Sequence, residues 1–394
     1  MRFGIVVALI ACAAQAQAQI AVRGDTVYTV SGAPIQNGVV LVRDGKVERV
    51  GPASSVSIPA GYRTLSAKVV TPGLVDAHTV VGLSGLLNIP TDQDQVERSA
   101  PMQPDLRAID SYNAREGLIE YVRGFGITTM HTGHGPGVLL SGQTMIVKTV
   151  GDTVEKAVVN PFAMVAVTLG DGSRESGGKS PGTRAKAVAM LRAELIKADE
   201  YSKKKDAPRD LRMEALGRVV EREIPLLITA NRANDILTAI RVGKEFNLRV
   251  VLDSAAEAHS VLDQIKASGY PVIIHATMQH TYGDMENLTF ENAAKLKAAG
   301  IPFALQTGFE GYVPKTRVLL FEAAWAAANG LKFDDALRSV TLDAARIIGL
   351  DSRVGSLEPG KDADVAMYDG DPFEYTTHCT GVLINGAVMS DVKH

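Results

Sequence analysis

From Pro72-Gly73 to Gly349 the sequence repeats one pattern: a short apolar run, a loop, then a helical stretch. The runs lie at Gly126-Met130, Met145-Val150, Phe162-Thr168, Pro225-Ile228, Arg249-Leu252, Pro271-Ile274 and Pro302-Leu305. Helical patterns fall between or after them at Arg184-Lys204, Ala233-Phe246, Ala256-Ser268, Phe290-Ala299 and Thr316-Ala328. A strand followed by a helix that returns along the sheet predicts parallel strands with helical crossovers. With the run that ends at Ala77 the pattern approaches the count of an eight-stranded barrel, and a doubly wound sheet would read similarly.

The two ends read differently. From Ile20 to Val70 there are β-rich runs at Thr26-Val30, Gly38-Arg43 and Lys46-Gly51, the last two joined by Asp44-Gly45. Beyond Gly355 the chain returns to strands and turns, with Val382-Leu383-Ile384 meeting Asn385-Gly386. Asp-Gly and Asn-Gly tolerate the two left-handed residues of a tight hairpin turn, so both pairs predict hairpins. The expected organisation is a composite β domain from residues 20–70 and 350–394 around a barrel at residues 71–349.

Residues 1–19, MRFGIVVALIACAAQAQAQ, carry one positive charge, an apolar run and two A-x-A sites. That is the pattern of a removable secretory leader, and it predicts export to a bacterial periplasm. Leu9-Ile10-Ala11-Cys12 also resembles a lipoprotein box, which would anchor the chain through Cys12. Loss of the leader would leave Cys379 as the one cysteine, excluding an internal disulfide. With 41 Lys and Arg against 44 Asp and Glu, the formal charge of −3 excludes a surface built for nucleic acid.

Thr71-Pro72-Gly73-Leu74-Val75-Asp76-Ala77-His78 resembles the first barrel strand of the amidohydrolase superfamily, and among its branches the imidazolonepropionase-like enzymes. Thr341-Leu342-Asp343-Ala344-Ala345 and the segment Arg353 to Asp364 resemble that family's final helix and its return to the β domain. The likeness extends over essentially the whole mature chain. It implies a (β/α)8 barrel with a small β-sandwich built from both chain ends, and hydrolysis of non-peptide C–N bonds by one or two divalent metals. Such a metal lowers the pKa of bound water and polarises a carbonyl, which needs several imidazoles and carboxylates converging on it.

Carried onto this sequence, that pattern is largely missing. The H-x-H pair reads His78-Thr79-Val80, leaving His78 as the one expected ligand. The resemblance puts Thr229 at the fifth-strand ligand position, with Asn231 beside it, Ser254 at the sixth, and Gly308 where the catalytic Asp belongs. His131, His134, Asp171, Asp253, Glu257, His275, Gln279, His280 and Glu310 lie near strand ends and are candidates to line a pocket. The sequence therefore leaves several readings open. One is a catalytically silent scaffold, a pseudoenzyme, with no cofactor or a weakly held zinc. Another is a hydrolase that works through a metal re-sited on His78, His131, His134 and His275, or without metal. A third is a barrel that binds a small-molecule ligand or pairs, as a homo- or hetero-oligomer, with a related barrel.

Overall fold

A computed structural model describes residues 19–87, 89–177, 180–275, 277, 281, 283–309 and 316–394. Residues 1–18, with Cys12 and nearly all of the expected leader, lie outside them, as do Gln279, His280 and Glu310. No helix among the described residues is long and apolar enough to cross a membrane.

Strands from both chain ends share one seven-stranded sheet, ordered Ala387–Ser390, Cys379–Ile384, Val365–Tyr368, Arg63–Pro72, Ile20–Val27, Ile35–Arg43, Lys46–Pro52. Ile20–Val27 runs parallel to Arg63–Pro72 and the other neighbours are antiparallel. The first strand begins at Ile20 and stops at Val27, short of the expected Thr26-Val30 run, because Val30 turns left-handed at φ 66°. Both expected hairpins form. Asp44 and Gly45 have φ of 51° and 76°, and Asn385 and Gly386 of 49° and 75°.

The two hairpin tips meet. Ala363 donates to Gly45 O and accepts from Gly386 N, and a Cβ on Gly386 would lie 2.9 Å from Gly45 Cα. Glycine is therefore required twice over at Gly386, by conformation and by close approach. Ile20, Val22, Val40, Val42, Val365 and Leu383 of this sheet pack into one core. Burial of each such side chain contributes about 1.5–3 kcal/mol.

The central region is the expected (β/α)8-type barrel, with one departure. Seven strands run parallel around the ring: Leu74–Thr79, Ile127–Thr132, Val165–Thr168, Leu226–Thr229, Val250–Ser254, Val272–His275 and Phe303–Gln306. The eighth position is filled by Leu140–Gln143 and Met145–Lys148, which run antiparallel to Val165–Thr168 and to Ile127–Thr132 respectively. The expectation of a parallel strand at Met145-Val150 is thus corrected. Only seven residues separate Thr132 from Leu140, too few for the crossover of a dozen or more that a parallel neighbour needs.

The ring closes through bridges. Thr144 exchanges backbone hydrogen bonds with Met164 and Ala163 on one seam, and Gly308 N donates to His78 O at 3.1 Å on the other. Outside the ring, helices Arg184–Ser202, Ala233–Glu245, Leu262–Ser268, Asn292–Ala299 and Leu319–Ala328 pack Leu191, Ile236, Ile265, Leu296 and Leu319 against the strands. A further helix at Leu211–Val220, capped by Asp210, was not expected from the sequence.

Lys148 ties barrel to sheet. It is buried, and its Nζ bonds Asp364 and lies 3.2 Å from Asp362, just before the Val365–Tyr368 strand.

Candidate functional site

Successive side chains of a strand point to opposite faces. Inside the ring, Val75, Ala77, Leu227, Val251, Ile273 and Ala304 form one buried apolar layer. Two residues further along three of these strands, the layer above holds Thr229, Asp253 and His275, with Gln306 in the corresponding place after Ala304. The registers agree, since Thr229 pairs with Asp253 and His275 with Gln306. An irregularity between Asp76 and Thr79 lets His78 join this layer from the first strand. The site is therefore a polar floor laid on an apolar plug at the carboxyl ends of the strands.

Asp253 organises that floor. Its Oδ1 lies 3.0 Å from His78 Nδ1 and accepts from Gln306 Nε2 at 2.8 Å, while its Oδ2 accepts from the Thr229 hydroxyl at 2.6 Å. Burial pushes the Asp253 carboxyl up, but the adjacent imidazolium and the two further donors outweigh it, and the group sits at about 2. Burial lowers the His78 imidazole, and the Asp253 charge raises it above its ordinary value. With Nδ1 held, His78 keeps Nε2 buried and without a hydrogen-bond partner at the cavity wall. That nitrogen can hydrogen-bond a ligand or pass a proton.

A cavity of about 260 Å³ opens above the floor. His78, Val80, Thr168, Leu169, Asn231, Ser254, His275, Asp284, Met285 and Gly308 are among the residues around it. Ser254 Oγ donates to Asn231 Oδ1 at 2.6 Å, and Asn231 Nδ2 donates to Asp284 Oδ2 at 3.1 Å. Ser254 and the following Ala255 are both left-handed, at φ 65° and 51°, a costly conformation for side-chain-bearing residues that tends to mark functional positions.

Several expected pocket residues lie elsewhere. His131 is fully buried: Nδ1 is 2.7 Å from Ala77 O and Nε2 is 2.6 Å from the Thr144 hydroxyl. Burial and the neighbouring His78 charge hold it neutral, near 3. Its ring lies 5.6 Å from that of His78, yet it is a strut between strands and does not line the cavity. His134 is buried behind the cavity wall, where a Cβ on Gly142 would come within 2.5 Å of its ring; burial holds it near 4. Asp171 is a surface residue, paired with Arg184 at 2.9 Å and Arg232 at 3.6 Å. Glu257 caps Ala233 N at 2.7 Å. Glu310, Gln279 and His280 are outside the described residues.

The described residues do not gather into a metal site. Val80 puts an isopropyl group on the cavity wall. His131 has both nitrogens committed, so the quartet of His78, His131, His134 and His275 is not assembled. Among the described residues no three His, Cys, Asp or Glu side chains gather as a metal group. Gly308 is more than a missing ligand: at φ 64°, a Cβ there would lie 1.8 Å from His275 Cε1. The His275 ring occupies the space that an aspartate at 308 would need.

Sequence reading did not find Asp284, in the turn Gly283–Met285, because nothing in Gly283-Asp284-Met285 distinguishes it from any exposed loop. Gln306 could have been found by counting two residues on from Ala304.

Residues 289–390 match the model of the amidohydrolase family. The chain is 29% identical to an amidohydrolase of known structure from Thermotoga maritima, with a TM-score of 0.89 over 94% of this chain and 100% of that one. It is 25% identical to an imidazolonepropionase from Rhizorhabdus wittichii over 85% of this chain and 88% of that protein. It is also 24% identical to amidohydrolase tasK from Hapsidospora irregularis over 90% of its own length, spanning 40% of that longer protein.

Proposed function

The chain belongs to the amidohydrolase superfamily, in its imidazolonepropionase-like branch, and from that premise we propose that it keeps the C–N hydrolase scaffold with a degenerate metal site. It binds a small molecule at the barrel mouth and does not carry out metal-assisted hydrolysis. The observation that carries this reading is Gly308 with His275: the ring fills the place of the family's proton-shuttling aspartate. Val80 and the committed nitrogens of His131 support it.

The test is turnover of a panel of cyclic amides and N-acyl amino acids, with added zinc, added manganese or a chelator. No metal-dependent turnover is expected. Turnover that zinc restores after chelation would overturn the proposal.

One observation favours a second reading, hydrolysis without metal. His78 Nε2 faces the cavity while Asp253 orients the ring, the arrangement of a general base. This reading expects turnover that survives chelation and disappears in His78→Ala.

We further propose that residues 1–19 are removed on export to the periplasm, which N-terminal sequencing of the secreted protein tests. A mature chain starting at Met1 would refute it.

A further inference from the structure

The cavity has a direction. Its deep end presents His78 Nε2, on a residue only 3% exposed, with no protein partner. Its outer end presents the Asp284 carboxylate. Between them the wall includes Val80, Leu169 and Met285.

Among the described residues no Lys or Arg lines this space. The nearest cation along the chain, Arg232, follows Asn231 directly but faces away from a ligand. Its Nη1 bonds Glu286 at 2.6 Å, its Nη2 bonds Gly283 O at 3.1 Å, and its Nε lies 3.6 Å from Asp171. Asp253, the other carboxylate, is neutralised by His78. Among the described lining residues, the carboxylate not already paired with a cation is therefore that of Asp284.

Asp284 is held in place from two sides. Asn231, itself fixed by Ser254, donates to its Oδ2, and Arg232 pins the turn on either side of it through Gly283 and Glu286. A carboxylate so positioned at the mouth of an apolar-walled cavity recognises a cation, since a hydrogen bond from a charged donor is about twice as strong as a neutral one.

Resting on the binding reading above, we infer that this cavity selects a small organic cation, an amine or amidine with an apolar body. Asp284 is its specificity determinant, and Asn231 and Ser254 are positioning residues. An anionic ligand would meet the Asp284 charge at the mouth, and the one imidazolium of the described lining, His78, already has its charge balanced by Asp253.

Benzamidine, benzamide and benzoate form a near-isosteric cationic, neutral and anionic series small enough for about 260 Å³. Their dissociation constants for the full chain can be measured by titration calorimetry or ligand-observed NMR. Benzamidine should bind about tenfold or more tighter than benzamide, the range for a hydrogen bond involving a charged group. Benzoate should bind weakest. Asp284→Asn should abolish the benzamidine preference, and an unchanged urea-unfolding midpoint shows that the variant is folded. Asn231→Ala should lower the same ratio in part.

Equal or tighter binding of benzoate, or a benzamidine preference that survives in Asp284→Asn, would overturn the assignment. Binding of benzamide with no advantage for benzamidine would overturn the charge selection alone and leave the binding reading intact. Failure of all three to bind would count against both.

Discussion

Replacing Asp253 with alanine removes one acceptor from three buried donors at once. His78 Nδ1–H, the Thr229 hydroxyl and Gln306 Nε2 all end on this carboxylate, at 3.0, 2.6 and 2.8 Å. Each stranded donor costs about 1–3 kcal/mol, and removing one member of a buried pair costs about 3–5 kcal/mol in total. Water entering from the adjoining cavity reduces the sum of the separate terms, so a loss of about 3–5 kcal/mol is expected. Asp253→Asn keeps one acceptor and should cost less.

The penalty also depends on pH. Asp253 is depressed to about 2, so its contribution is present above the unfolded value of about 3.9 and lost as pH falls towards 2. His78 is raised, so its contribution is complete below the unfolded value of about 6.5 and lost as pH rises through its folded value. The difference between wild type and Asp253→Ala should therefore be largest between about pH 4 and 6.5. Urea unfolding followed through Trp325, the one tryptophan, measures it. A loss below about 1 kcal/mol at pH 5.5, or a difference flat with pH, would contradict this role of Asp253.

Three further outcomes are expected. Lys148→Met strips the buried Asp364 of its cation, while Asp362 beside it keeps Lys46 and Arg353, and should cost about 3–5 kcal/mol in the same unfolding assay. Gly308→Ala drives a methyl group into the His275 ring at a left-handed position. It should destabilise by about 2–4 kcal/mol and displace the His275 imidazole resonances. Cys379 is buried and burial pushes its thiol up to about 11, so Ellman's reagent should react with it only on unfolding; rapid labelling of the native protein would contradict this packing.

Much of the architecture is legible in the sequence. Asp44-Gly45 and Asn385-Gly386 announce their hairpins because few residue pairs accept two successive left-handed conformations. The parallel strands from Val165 to Gln306 are apolar runs separated by helical stretches, and local composition suffices to find them. The antiparallel strand at Met145–Lys148 is buried on both faces like its neighbours, so its direction is encoded only in the short connection before it. The Leu211–Val220 helix was hidden by the charged stretch that precedes it.

The site is harder to read because it depends on which way each side chain faces. Asp253 and Ser254 are adjacent, and alignment to the family motif assigns the ligand position to Ser254. Strand alternation places Asp253 in the inner layer, with Ser254 turned left-handed beside it. In the sequence His131 and His134 are candidates to join His78 in a re-sited metal set. What separates them is long-range: Ala77 O and Thr144 for the first, the wall formed by Gly142 for the second. Asp284 is significant only because Asn231, 53 residues earlier, reaches it.

The proposed loss of the metal centre is tested by metal content: elemental analysis of the purified protein after equilibration with excess zinc and gel filtration. Substoichiometric zinc, unchanged in His78→Ala, is the predicted result. One zinc retained per chain and lost in His78→Ala would contradict it.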